Sequence, residues 1–290
     1  FASSVGSQGL FAVDLSERLT EQLRAGFLAR GAVQYAAAVV AMDPEPGIDG
    51  LHEEWSNSAG RFADVRLAGG TFRVIATEAG EVQARYGLMD EERRLSVNAA
   101  PADMLEALLE ATAGATPEEA AAIAGAIVDW RDEGSDKSPQ GAEDFDYQLL
   151  SYECKDGPFE NVEELLLVKG VTPELYQQLE GLVTVHGSGR LNLNTAPPPV
   201  LGALGLTALG LDGFWLFRAG EDNTAGTADD RSLVSVNGLS SELGAFVPVE
   251  DLARLEALVR DHVLSVDSTA YRMRIEAQTD ACLTNMDRLL

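Results

Sequence analysis

Cysteine and histidine are scarce in this chain of 290 residues, which has two cysteines and three histidines. Cys154 and Cys282 do not have the spacing of a zinc ribbon or a CxxC redox motif, and a disulfide and two separate thiols both remain open. His52, His186 and His262 are isolated, and His52 does not begin an HExxH motif. Neither a G-x-S-x-G turn nor a P-loop is present. The sequence therefore predicts no enzyme.

Basic residues are also few, since 21 lysines and arginines stand against 47 aspartates and glutamates, a formal net charge of -26. A chain this acidic repels the phosphates of nucleic acids at long range. The same excess of carboxylates favours hard cations such as calcium. The composition therefore argues against a nucleic-acid partner and favours a calcium site.

Long apolar runs are absent as well. No stretch of about 18 uncharged apolar residues occurs, so the sequence predicts no membrane-spanning helix within itself. The chain begins with Phe1 rather than methionine, which suggests a processed or truncated product. Any membrane anchor would then lie upstream of Phe1.

A long helix is predicted near the start, over residues 14–40. Leu15, Leu19 and Leu23 recur at helical spacing, and Asp14 or Ser16 can cap the first turn. An Asp-Pro-Glu-Pro segment at 43–46 ends the helix. The apolar stripe of Leu15, Leu19 and Leu23 is longer than a two-stranded hairpin can cover, so we expect it to bind a partner.

Alternating apolar and polar residues predict a β-hairpin over 71–88, with its turn at 78–81, and a closing strand over 268–278. A lone hairpin is marginally stable in water, so we expect the closing strand to rejoin it. The segment between them is rich in helix caps. The predicted fold is α+β, with a small antiparallel sheet and a large all-helical domain inserted between its strands. The expected boundaries are 1–94 for the core, 95–218 for the inserted domain, and 219–290 for an acidic loop, a helix and the closing strand.

One motif occurs twice, as LSVNAAPADMLEAL from Leu95 and as LNLNTAPPPVLGAL from Leu191. Each copy contains an extended piece, an asparagine turn at Asn98 or Asn194, a proline and an apolar helix face. The residue types are those of a helix-starting corner. A helix-hairpin-helix that contacts phosphates would use the same turn, but it calls for nearby basic residues, and Arg190 has few companions.

Two loops concentrate carboxylates. The first, 129–147, contains Asp129, Asp132, Glu133, Asp136, Glu143, Asp144 and Asp146. The second, 220–230, contains Glu221, Asp222, Asp229 and Asp230 beside three polar side chains. Crowded carboxylates either spread into water or gather around a cation, and Ca²⁺ takes six to eight oxygen ligands. Each loop is therefore a candidate calcium site, with a solvated acidic loop as the alternative.

An ordered set of segments resembles the minor pseudopilin K family of type II secretion systems. These segments are RAGFLARGAVQYAAAV, LSVNAAP, IVDWRDEGSDKSPQGAEDFDY, GPFENVEELLLVKGVTPELYQQL, LNLNTAPPPVLGAL and SVDSTAYRMRIEA. The resemblance covers most of the chain in the same order.

The resemblance implies a pilin-like core whose N-terminal helix is anchored in the inner membrane, with the remainder in the periplasm. It implies a place at the tip of the pseudopilus, bound to the minor pseudopilins I and J. It also implies calcium, which we expect at Asp132, Asp136, Glu143 and Asp144. The carboxylates of the second loop by themselves predict calcium at Asp222, Asp229 and Asp230. The repeated turns also resemble helix-hairpin-helix proteins of DNA uptake, which is the rival interpretation.

Overall fold

The computed structural model describes residues 2–67, 69–76, 85–227 and 229–290. Its helices are α1 (Ala2–Ala41), α2 (Ala59–Phe62), α3 (Ala102–Ala113), α4 (Pro117–Arg131), α5 (Asp144–Tyr147), α6 (Pro173–Leu179), α7 (Pro198–Gly202), α8 (Ala208–Arg218), α9 (Leu239–Leu243) and α10 (Val249–Arg260). Short 3-10 helices span Gln148–Leu150 and Val162–Leu167. The strands are β1 (Val65–Leu67), β2 (Gly70–Ile75), β3 (Met89–Asp90), β4 (Leu95–Ser96), β5 (Val183–Thr184), β6 (Leu191–Asn192), β7 (Leu264–Ser265), β8 (Tyr271–Gln278) and β9 (Leu283–Leu289). The chain folds into two compact units.

The first unit comprises Phe1–Glu45, His52–Asp90 and Tyr271–Leu290. Helix α1 ends beside the predicted prolines but begins at Ala2, well before the expected cap at Asp14. Aspartate caps a helix only where the preceding chain leaves the helical path, and no proline interrupts residues 2–13. The described part of the chain contains no helix with the length and apolarity needed to cross a membrane.

Strand β8 is the centre of the sheet in this unit. It pairs antiparallel with β2 and β3 along one edge and with β9 along the other. Its buried side chains, Tyr271, Met273, Ile275 and Ala277, alternate with more exposed ones as the sequence pattern predicts. The prediction that the closing strand rejoins the early hairpin is confirmed by its register with β2.

The predicted hairpin is only partly within the described residues, because its turn at 78–81 lies outside them. The returning chain does pair with β2, since the Ala76 amide donates to the Arg85 carbonyl and the Gly87 amide donates to Val74. Strand β9 has no counterpart among the sequence predictions. None of its residues is buried, since each is half-buried or exposed. The alternation of buried apolar and exposed polar residues that would identify a strand is therefore missing.

The second unit comprises Pro46–Leu51 and Glu91–Ala270. One hydrophobic cluster runs through it and includes Leu95, Leu204, Leu233, Leu243 and Leu264. The compact units therefore divide the predicted third segment, with 219–270 in the second unit and 271–290 in the first. The physical reason is that buried leucines in the polar-looking part, such as Leu233 and Leu243, complete the same core. The unit is also not entirely helical, because β4 pairs parallel with β5 and β6 pairs parallel with β7.

The repeated corners make equivalent hydrogen bonds at the two places. The Asn98 amide donates to the Phe159 carbonyl (3.0 Å) and accepts from the Phe159 amide (2.8 Å). Asn194 makes the same pair of bonds to Leu233, at 3.1 and 2.7 Å. Each asparagine side chain therefore makes the two backbone hydrogen bonds that a neighbouring strand would otherwise make, to Phe159 or to Leu233.

Two arginines complete the parallel. Arg131, at the end of α4, donates to the carbonyls of Val97 and Ala100 at 2.5 and 2.8 Å. Arg218, at the end of α8, donates to the matching carbonyls of Leu193 and Ala196 at 3.1 and 2.6 Å. The second unit is thus built from two similar modules, and the arginine of each lies near the start of an acidic loop.

We expect Asn194→Ala to lower the free energy of unfolding by at least about 2 kcal/mol, because it leaves two backbone groups of Leu233 buried and unpaired. Asn98 is half-buried, so water can replace part of its bonds and Asn98→Ala should cost less. Urea unfolding measures both. The exposed Asn237 is the control, and Asn237→Ala should change stability by under about 0.5 kcal/mol. Equal losses for all three variants would contradict the structural role of the corners.

Candidate functional site

The first acidic loop rests on a cluster of aromatic rings. Trp130 packs against Tyr147, Tyr152 and Phe159, with ring centroids 5.5, 6.2 and 6.4 Å apart. The hydroxyl of Tyr147 accepts a hydrogen bond from the Lys169 amide, and burial raises the pKa of this tyrosine to about 12. The rings hold both ends of the loop in place, which brings carboxylates of separate turns together.

Asp129 is fully buried at the base of the loop. Its Oδ1 accepts from the Ser138 amide at 3.0 Å, whereas Oδ2 has no hydrogen-bond partner among the described residues. Gly141 lies directly over Oδ2, and a Cβ at that position would collide with it. Glycine is therefore required at 141 for the loop to pass this carboxylate.

Glu143 is the second buried carboxylate, with 8% of its surface exposed. Its Oε1 also has no hydrogen-bond partner in the described part of the chain. Burial raises the pKa of Glu143 above its ordinary value, and the charges of Asp129, Asp156, Asp132 and Asp144 raise it further. The fold therefore places several negative charges near the Glu143 carboxylate, which is itself largely shielded from water.

Glu143, Cys154 and Asp156 form a group whose ligand atoms all lie within 4.8 Å of one another. The Cys154 thiol is buried and sits 3.7 Å from the Asp129 carbonyl. Burial raises the pKa of the thiol to about 12, and the charge of Glu143 adds to the effect. This group is the candidate cation site, hereafter the Glu143 site.

The lysines of this region are engaged with other carboxylates. Lys137 and Lys169 both pair with Asp146, at 2.8 and 2.6 Å. Together they hold the pKa of Asp146 well below its usual range. Lys155 pairs with Glu164 at 2.7 Å. None of these three ion pairs neutralises Glu143.

The four expected ligands of this loop are placed differently. Glu143 belongs to the site, whereas Asp144 accepts from the Cys154 amide and Asp132 accepts from the Gly134 amide. Asp136 is exposed. Sequence reasoning missed Cys154 and Asp156, which lie beyond the acidic run. Asp156 has a positive φ of 49° and is followed by a glycine, which marks the turn that brings these two residues back to Glu143. In the sequence, the Cys-x-Asp-Gly pattern is a weak signal by itself.

The second acidic loop directs its carboxylates to its own backbone. Asp229 accepts from the amides of Glu221 and Asp222 at 2.7 and 3.1 Å. Asp230 accepts from Gly226 at 2.7 Å, and Asp222 accepts from Thr224 at 2.8 Å. The Thr227 hydroxyl and these amides lower the pKa of Asp229. The structure thus brings Asp222, Asp229 and Asp230 into one loop, where they are already hydrogen-bonded.

The predicted partner stripe lies on the exposed face of α1. Leu15, Leu19 and Leu23 expose 59%, 50% and 64% of their surface, and Phe27 continues the row at 65%. The opposite face supplies the core of the first unit, with Leu28, Ala29, Ala32, Ala36 and Val39 buried. Large apolar side chains rarely line up on a free surface without a function.

Comparison with known proteins agrees with the sequence-based resemblance. Residues 82–188 match the family model described as type II secretion system (T2SS), protein K. A curated relative, type II secretion system protein K of Klebsiella pneumoniae, is 30% identical over 188 residues, 61% of this chain. The chain is similar to this protein K over that region. It covers 56% of the length of the Klebsiella protein.

The fold of this chain is also found in a solved structure. A chain of the crystal structure of the GspK-GspI-GspJ complex from enterotoxigenic Escherichia coli superposes with a TM-score of 0.65. The match covers 97% of this chain and 93% of that one at 20% sequence identity. The predicted resemblance to the protein K family and the predicted fold class are therefore confirmed.

We expect Glu143→Gln to stabilise the cation-free chain at neutral pH. The raised pKa means that the folded state binds more protons, so stability falls as pH rises from about the ordinary value of 4.5 through the folded pKa. Glutamine removes that loss. Urea unfolding in a chelating buffer at several pH values measures it, with the exposed Glu133→Gln as control. A less stable Glu143→Gln chain at neutral pH would contradict the conclusion that the buried charge of Glu143 destabilises the fold.

Proposed function

We propose that this chain is a non-enzymatic minor pseudopilin at the tip of a type II secretion pseudopilus. It would bind the minor pseudopilins I and J of its own system and initiate or cap the filament for protein export. The observation that carries the proposal is the exposed row of Leu15, Leu19, Leu23 and Phe27 on the long helix. The solved chain with the same fold comes from a complex of GspK, GspI and GspJ, which supports the choice of partners.

The spacing of this row suits a helix as partner. Side chains four residues apart form a continuous ridge, inclined about 26° to the helix axis, that fits the groove of a second helix. Full burial of each large side chain contributes about 1.5–3 kcal/mol before the costs of association. Four such side chains are enough to make the row the main part of an interface.

The proposed location follows from the proposed pseudopilin role. A pseudopilin anchored through a hydrophobic segment upstream of Phe1 would be a single-pass protein of the inner membrane, with both compact units in the periplasm. The large unit inserted between β3 and β8 favours the end of a filament, because stacked subunits with such an insertion would clash.

The rival DNA-uptake interpretation receives no support from the corners. Asn98 and Asn194 use their side chains to hold Phe159 and Leu233 within the protein. Asn194 and Thr195 are buried, so this turn does not present itself to a phosphate backbone. The net charge of -26 opposes the same contact at long range.

We also propose that the first acidic loop binds calcium. Two buried oxygens, Oδ2 of Asp129 and Oε1 of Glu143, lack partners among the described residues, and nearby lysines are paired elsewhere. Glu143 and Asp156 would supply oxygens, with Asp132, Asp136 and Asp144 as further expected ligands. A bound calcium ion would neutralise charge that the loop otherwise buries at a cost. The proposal extends to Asp222, Asp229 and Asp230, whose oxygens would be shared with backbone amides.

The double variant Leu19→Lys and Leu23→Lys should abolish co-purification with coexpressed pseudopilins I and J. Two charges would be buried without partners in the proposed interface. The fold should persist because both side chains are exposed, and circular dichroism and thermal unfolding check this. Leu209→Lys is the matched control, since Leu209 is 68% exposed in the second unit. Unchanged co-purification of the double variant would contradict the proposed interface.

Calcium should raise the melting temperature of the chain and a chelator should reverse the effect. A ligand at 100 times its Kd stabilises by about 2.7 kcal/mol. Glu143→Gln should remove most of the shift, whereas Glu133→Gln should keep it. Any shift that remains in Glu143→Gln and disappears after Asp229→Asn would belong to the second loop. If differential scanning calorimetry shows no shift and elemental analysis finds no metal, calcium is ruled out.

A further inference from the structure

The Glu143 site contains a sulfur atom, which a purely calcium-binding loop does not need. We propose that Cys154 makes it a mixed oxygen–sulfur site that also binds a thiophilic divalent cation, of the Zn²⁺ or Cd²⁺ class, with the thiolate as a ligand. This inference rests on the proposed cation site and adds a ligand and a selectivity to it. Two kinds of cation would then compete for the same carboxylates.

The distances suit such a cation. The ligand atoms of Glu143, Cys154 and Asp156 all lie within 4.8 Å of one another. Ligands at roughly 2.0–2.3 Å from a Zn²⁺ ion can be no more than about 4.6 Å apart, so a small adjustment lets one ion reach all three. The chain around the thiol is held, because the Cys154 amide donates to Asp144 at 3.0 Å.

An independent observation points to a ligand. Glu143 is more than nine-tenths buried, and its Oε1 has no hydrogen-bond partner among the residues that the structure describes. A buried carboxylate oxygen without a donor is costly unless a cation approaches it. The thiol beside it lies 3.7 Å from the Asp129 carbonyl and 3.9 Å from the Ala142 carbonyl.

The chemistry of the thiol decides the selectivity. When the cation binds, the S–H bond of Cys154 breaks, a metal–sulfur bond forms, and the proton leaves to solvent. Thiolates are strong ligands for Zn²⁺ and its heavier relatives, whereas Ca²⁺ is bound through oxygen. Removal of the sulfur should therefore weaken the thiophilic cation and spare calcium.

Cd²⁺ is a suitable probe because its bond to a thiolate absorbs in the ultraviolet. Titration of the chelator-stripped chain with Cd²⁺ alone should give a thiolate charge-transfer band that saturates at one equivalent. Cys154→Ser and Cys154→Ala should lose the band and at least about tenfold in Cd²⁺ affinity, which is about 1.4 kcal/mol. Cys282→Ser is the matched control and should keep both. Glu143→Gln should weaken Cd²⁺ binding as well.

The outcomes separate this inference from the calcium proposal. A band that is lost in the Cys154 variants, while their calcium-induced rise in melting temperature remains, supports a thiolate ligand. Absence of the band in the unchanged chain, or a band that follows Cys282, overturns it, whatever calcium does. If the calcium shift is present and the band is absent, only the thiolate ligand fails. If neither cation binds, the calcium proposal fails with it.

Discussion

Asn98 and Asn194 each hold a distant residue by both sides of one amide group, and the second unit depends on this arrangement. Phe159 follows the first acidic loop in the chain, and Leu233 follows the second. An arginine fixes the near end of each loop by donating to the same corner. A side-chain amide can satisfy a backbone donor and acceptor together without a strand on either side. Both loops are therefore closed at their bases, and the first loop buries the carboxylates of Asp129 and Glu143.

Closure of the first loop explains its electrostatics. Asp129 and Glu143 are buried, while the available lysines pair with Asp146 and Glu164. A loop that crowds like charges in a dry place is stable only if something neutralises them or their pKa values rise. In the second loop Asp229 is exposed, and backbone amides around it compensate its charge. The two similar modules thus differ in how far the charge of their acidic loops is compensated by neighbouring groups.

Much of the fold follows from local patterns in the sequence. The apolar spacing on α1, the alternation in β8 and the cap of α4 at Thr116 all involve residues close together in the chain. Strand β9 and the true extent of the second unit were not predictable in this way. Strand β9 lacks a buried face, and the leucines at 233–243 lie in a segment whose composition resembles a surface loop. Their places depend on partners far away in sequence.

The sequence by itself determined the long N-terminal helix, the repeated asparagine corners and the concentration of carboxylates after Trp130. It could not determine which carboxylates are buried, because burial depends on the path of the loop. That path is decided by contacts between residues up to 61 positions apart, such as Asn98 with Phe159. Only the tertiary structure returns Cys154 and Asp156 to Glu143 and leaves Asp136 in water. Composition sets how much charge the loop carries, and packing sets where that charge meets a low dielectric.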